Sequence, residues 1–173
     1  MITLVLGGAR SGKSTVAERL VTRRLAQSPV PPAMTYVATL AVGDDRDLAD
    51  RVAQHRARRP PAWATVEAGA DLPAVLRGVA GVVLVDSLGP WVGSAPDMAV
   101  DASSLCEALV ARDGDTVVVS EEVGLSVHPS TQAGRRFQDA LGVVNQAVAA
   151  CAQEVLLVVA GRTLRLDATA DGP

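Results

Sequence analysis

Lysine is almost absent from this sequence: of its 16 basic residues only Lys13 carries an ammonium, and the rest are arginines. Aromatic residues make up 2% of the 173 positions, so an apolar interior must be assembled from valine, leucine and alanine. Two cysteines, Cys106 and Cys151, are too few for a disulfide framework and point to a reduced, cytoplasmic setting. An excess of positive charge is also missing. The 16 basic residues face 19 acidic ones, for a net charge of -3 and a pI near 5.3, which argues against nucleic-acid binding by phosphate neutralisation. No apolar run approaches the ~20 residues of a spanning helix. The opening stretch, residues 1–6, lacks a basic flank and ends in Gly7-Gly8, so neither a signal peptide nor membrane insertion is expected.

What is present is a chain that is 49% hydrophobic, of a length suited to a single domain over residues 1–173 with a sizeable core. Continuous Val/Leu runs predict strands over residues 2–6, 34–40, 81–88, 115–124 and 154–161, with "TLRLD" (163–167) as a short sixth. Helices are predicted over 14–25, from Val16, Leu20, Val21 and Leu25, over 44–59, and over 133–152, with Phe137, Leu141, Val144 and Val148 on one face. Residues 27–33 read as a loop and the final "DATADGP" as a loose end. Strands without polar alternation are buried on both faces, so the expected fold is α/β, a mostly parallel sheet with helices on both faces.

Gly7-Gly8-Ala9-Arg10-Ser11-Gly12-Lys13-Ser14 fits the P-loop pattern in full, with a strand before it and a helix after it. Backbone N–H groups of such a turn, with the helix N-terminus, form a nest for phosphate oxygens. The lone lysine belongs here: a compact ammonium on a flexible stem lies along the β- and γ-phosphates as a point charge, where a planar guanidinium does not fit. Ser14 is expected to offer its hydroxyl to Mg²⁺. "VVLVD" ends in Asp86, an acidic strand end suited to the same metal. A Ras-like GTPase is excluded, since no lysine is left for its guanine-reading Asn-Lys-x-Asp loop. Arg56, Arg58 and Arg59 follow His55 directly. Their charges disfavour protonation of the imidazole, so His55 is either a neutral nucleophile toward phosphorus or part of a solvated basic helix face. His128, before Pro129 in a loop, reads as incidental. Glu122 reads as a second acidic group near the phosphates or as a strand-end carboxylate in a turn.

Taken together, "GGARSGKS" (7–14), "YVAT" (36–39), "DLADRVAQHRARRPPAWATVE" (47–67), "LVDSLGPWV" (84–92), "VSEEVGLSVHP" (119–129), "GRRFQDALGVVNQ" (134–146) and "EVLLVVAG" (154–161) resemble the adenosylcobinamide kinase/adenosylcobinamide-phosphate guanylyltransferase family. The resemblance implies a P-loop NTPase fold assembled as a homotrimer in the cytoplasm. It implies phosphorylation of a corrinoid, adenosylcobinamide, with ATP or GTP. Transfer of GMP from GTP to that phosphate then follows through a histidine–GMP phosphoramidate. By matching position His55 would be the nucleophile. The GTP contacts would be Gly7 to Ser14, Leu40, Ala41, Val42, Arg56, Ala57, Arg58, Arg59, Glu67 and Asp86. The sequence departs from the family pattern at Glu121, where Asn is usual, at Gly89-Pro90, where Thr-Leu is common, and at Val143, where Arg is common. None falls inside a nucleotide motif, so these are expected on the corrinoid side or in trimer contacts. A P-loop small-molecule kinase with no covalent intermediate is the alternative.

Overall fold

A computed structural model describes residues 1–27, 33–39 and 60–168. Seven strands among these form one sheet: β1 (Ile2–Gly7), β2 (Met34–Ala38), β3 (Ala64–Glu67), β4 (Val82–Asp86), β5 (Thr116–Glu121), β6 (Glu154–Val159) and β7 (Arg162–Leu166). Their order is β3-β2-β4-β5-β1-β6-β7. All pairings are parallel except β6 with β7, where the tight Ala160-Gly161 turn returns an antiparallel edge strand. The helices are α1 (Lys13–Gln27), α2 (Leu72–Gly78), α3 (Leu88–Ser94), α4 (Ala102–Val110) and α5 (Gln132–Cys151), with a 3₁₀ turn at Pro96–Met98.

The sheet is sandwiched because successive side chains of a strand point to opposite faces. Val5, Tyr36, Val82, Leu84, Val117 and Val119 pack with Ala17 and Val21 of α1 on one face. Leu4, Leu6, Val37, Val83, Val85 and Val118 pack on the other face, against Leu72, Leu76, Trp91, Leu105, Leu109 and Leu141 from α2 to α5. Both faces of β1, β4 and β5 are therefore apolar, which is why these strands read as unbroken runs. On α5 the expected stripe is the buried one: Leu141, Val144 and Val148 are inaccessible, and Phe137 packs beside them.

The differences from the sequence reading have physical reasons. β3 is not legible in the sequence: "ATVE" is four residues long and largely exposed, too short for a periodic signal. α2, α3 and α4 span nine residues or fewer. The signals of α2 and α4 lie in their caps, as the Asp71 carboxylate accepts the Ala74 N–H at 3.1 Å and Asp101 accepts the Ser104 N–H at 2.9 Å, whereas Ser87 before α3 makes no side-chain cap bond. β4 and β5 end earlier than predicted, at Asp86 and Glu121, because the next residues turn away to build the site. The helix predicted over 44–59 lies outside the described residues. No helix among the described residues is long and apolar enough to cross a membrane.

Candidate active site

Because β1 to β6 run parallel, their carboxyl ends share one edge, the usual place for ligands in an open α/β sheet. That edge gathers Gly7, Ala38, Glu67, Asp86 and Glu121: Gly7 pairs with Glu121, and Ala38 pairs with both Glu67 and Asp86. Residues 8–12 connect β1 to α1 as a tight loop. Gly12 has φ +92°, a conformation that side chains of L-residues rarely adopt, so the backbone itself favours glycine at position 12. Ser11 anchors the loop: its N–H donates to the Gly8 carbonyl at 3.3 Å and its carbonyl accepts the Gly161 N–H at 2.8 Å. Gly7 accepts the Glu122 N–H at 3.1 Å, tying the loop's root to β5. Ala9 and Arg10 are exposed at the crest, with Arg10 at φ +57°. The N-terminus of α1 opens toward this loop and favours an anion there.

Three further groups converge on the loop. The Ser14 hydroxyl donates to Asp86 Oδ1 at 3.2 Å, so the two oxygens expected to share a metal are neighbours. The hydroxyl of Tyr36, the only tyrosine in the chain, donates to Asp86 Oδ2 at 2.6 Å. Lys13 Nζ donates to the Gly8 carbonyl at 3.4 Å and lies 3.6 Å from Glu121 Oε1. Asp86 is followed by a cis peptide to Ser87. Ser87 and Thr39 bond reciprocally: the Ser87 N–H donates to Thr39 Oγ1 at 3.1 Å, and the Thr39 hydroxyl donates to the Ser87 carbonyl.

The structure thus brings Gly7 to Ser14 and Asp86 together, and sets Glu67 on the same edge, two strands away from Asp86. Leu40, Ala41, Val42, His55, Arg56, Ala57, Arg58 and Arg59 lie outside the described residues. His128 is exposed in its loop. Glu122 takes the turn role, since its Oε1 accepts the N–H groups of Gly124 at 2.6 Å and Leu125 at 3.2 Å.

One expectation is corrected. The departures from the family pattern do not all stay clear of the nucleotide motifs, because Glu121 stands against Lys13. Its carboxylate also accepts the Ser87 hydroxyl at 2.7 Å and the N–H of Gly89, another departing residue, at 2.9 Å. Tyr36 and Asn145 also belong to the site, though no motif points to them. A phenol inside a buried strand needs a partner for its hydroxyl, which is the signal Tyr36 carries. Asn145 is buried on α5, where its Oδ1 accepts the Ser120 hydroxyl at 2.6 Å and its Nδ2 donates to the Glu121 carbonyl at 3.0 Å. It fixes the end of β5 from behind.

Residues 3–166 match the profile of a family described as cobinamide kinase / cobinamide phosphate guanyltransferase. The bifunctional adenosylcobalamin biosynthesis protein CobP of Pseudomonas aeruginosa is 38% identical over 175 residues, covering 96% of this chain and 97% of that protein. The bifunctional adenosylcobalamin biosynthesis proteins CobU of Escherichia coli and Salmonella typhimurium are 34% and 33% identical, each covering 93% of this chain and 97% of its own length. In fold, the chain is similar to the flagellar accessory protein FlaH of Methanocaldococcus jannaschii, with a TM-score of 0.50 at 14% identity over 94% of this chain and 74% of that one. With the P-loop, its acidic strand end and a match spanning nearly the whole sequence, the chain belongs to the cobinamide kinase / cobinamide phosphate guanyltransferase family of transferases.

Proposed function

We propose that both transfers of this family take place at the one cradle formed by Gly7 to Ser14, and that in the second of them His55 carries the GMP from GTP to adenosylcobinamide phosphate. The observation supporting this reading is the meeting of the sole lysine, a hydroxyl and an acidic strand end on one edge of the sheet. In the first transfer the hydroxyl of adenosylcobinamide forms a bond to the γ-phosphorus of ATP or GTP. The bond from that phosphorus to the β-phosphate oxygen breaks, and the nucleoside diphosphate leaves. In the second, a neutral imidazole nitrogen of His55 attacks the α-phosphorus of GTP and pyrophosphate leaves. An oxygen of adenosylcobinamide phosphate then takes the GMP as the N–P bond breaks, giving adenosylcobinamide-GDP. Lys13 and the loop N–H groups offset the charge that gathers on the departing diphosphate. Two in-line displacements replace one encounter between two anions.

The donors fit a hard cation. Ser14 Oγ and Asp86 Oδ1 lie 3.2 Å apart. Among the described residues no three His, Cys, Asp or Glu side chains converge as a metal cage. Mg²⁺ is held in this way in nucleotide sites, by one or two protein oxygens plus phosphate oxygens. When bound it neutralises charge on the phosphate chain. In this reading Leu40 to Val42, Arg56 to Arg59 and Glu67 complete the GTP contacts, and the working form is a cytoplasmic homotrimer.

The test is incubation with GTP labelled at the α-phosphorus. The expected result is an acid-labile label on the wild-type protein that is absent from His55→Ala. No label at any GTP concentration, together with γ-phosphate transfer that persists in His55→Ala, would overturn the covalent route and leave a plain kinase.

A further inference from the structure

We propose that Glu121 is a specificity-determining counter-ion of the phosphate cradle: it pairs with the Lys13 ammonium, and a ligand must displace it with β- and γ-phosphate charge. This rests on the reading above that the cradle binds ATP or GTP. Lys13 is largely enclosed, its side chain 13% exposed, and a cation in that position is costly without a partner. Glu121 Oε1, 3.6 Å from Nζ, supplies the charge. The carboxylate is not a loose surface group that happens to swing close. Its two oxygens are fixed from the other side by the Ser87 hydroxyl and the Gly89 N–H. Gly89 also leaves the necessary room, because a Cβ there would overlap the carboxylate. Two positions where the sequence leaves the family pattern therefore form one matched seat.

The consequence is competition. The ammonium that Glu121 holds is the one that the β- and γ-phosphates require, so polyphosphates exchange one anion for another at Lys13. A monophosphate lacks the β- and γ-phosphates that compete for Lys13, and so leaves the pair intact. When a diphosphate product departs, Lys13 returns to Glu121, which eases release. Glu121 thus lowers the affinity for the polyphosphate chain without touching the nucleoside.

Glu121→Gln separates charge from support. The amide still accepts from the Gly89 N–H and bonds the Ser87 hydroxyl, but it carries no charge toward Lys13. Isothermal titration with GTP, pyrophosphate and GMP reads the difference. Partly exposed ion pairs of this kind predict GTP and pyrophosphate binding roughly two- to fivefold tighter in Glu121→Gln, with GMP unchanged. GTP binding no tighter than wild type, or GMP tightened by the same factor, overturns the proposal. Absence of GTP binding to the wild-type protein would instead defeat the nucleotide reading itself. The seat is tested separately in a double-mutant cycle. Gly89→Ala should lower the melting temperature when Glu121 is present and much less in a Glu121→Ala background. An equal cost in both backgrounds would refute the matched seat.

Discussion

Replacing Asn145 with alanine should destabilise the protein far more than the loss of one polar side chain from a helix would suggest. Asn145 is 8% exposed, and the Ser120 hydroxyl it satisfies belongs to a residue with no exposure at all. Alanine strips the acceptor from that hydroxyl and the donor from the Glu121 carbonyl, and leaves a small void. Each orphaned polar group costs about 1–3 kcal/mol, so the two together cost about 2–6 kcal/mol. For a chain of this length each kcal/mol lowers the melting temperature by roughly 2–4 °C, so a fall of roughly 4–24 °C is expected. Thermal and urea unfolding followed by circular dichroism measure it. Gln138→Ala is the comparison: Gln138 also hangs from α5 and donates to the Val123 carbonyl at 2.8 Å, but it is only partly buried. If Asn145→Ala costs less than about 0.5 kcal/mol, or less than Gln138→Ala, then burial does not set the value of these bonds and the reasoning fails.

Lys13→Arg should leave the fold intact yet reduce kcat/KM for phosphoryl transfer by roughly a hundredfold or more, since the planar fork does not enter the loop as an ammonium does; turnover within a few-fold of wild type would contradict this. The Cys151 thiol is pushed up to about 11 from an ordinary 9.0, first by burial and then by neighbouring Cys106. The folded value is the higher one, so this thiol favours the fold fully below about pH 9, and that preference is lost as the pH rises through about 11. Alkylation of Cys151 at pH 9, followed by mass spectrometry, should be roughly tenfold or more slower in the native chain than in the urea-unfolded chain; equal rates would refute the shift.

Much of the cradle is legible in the sequence because its requirements are local. A glycine that must adopt positive φ, a lysine of the right reach, and a hydroxyl at the start of a helix all fall within the eight residues from Gly7 to Ser14. Asp86 is legible for a related reason, as a carboxylate that ends an apolar strand stands out. The site's other members were not readable in this way. Glu121 and Glu122 are adjacent carboxylates on the same strand end, and nothing local says which faces the lysine. The answer depends on Ser87 and Gly89, more than thirty residues away, and on the carbonyl of Gly7 engaging the backbone of Glu122. Asn145 is one polar residue on a helix whose apolar stripe is legible from its periodicity, and only its bonds to the end of β5 show that it faces inward.

The sequence by itself determined that this is an α/β chain with a phosphate-gripping turn, because strand burial, glycine conformation and helix periodicity are properties of neighbouring residues. Only the tertiary structure decided what stands around that turn. β5 is inserted between β1 and β4, and this order brings the Glu121 carboxylate between the lysine of one strand's loop and the serine that follows the other. Strand order is set by how apolar faces stack across the whole sheet, and no local pattern encodes it.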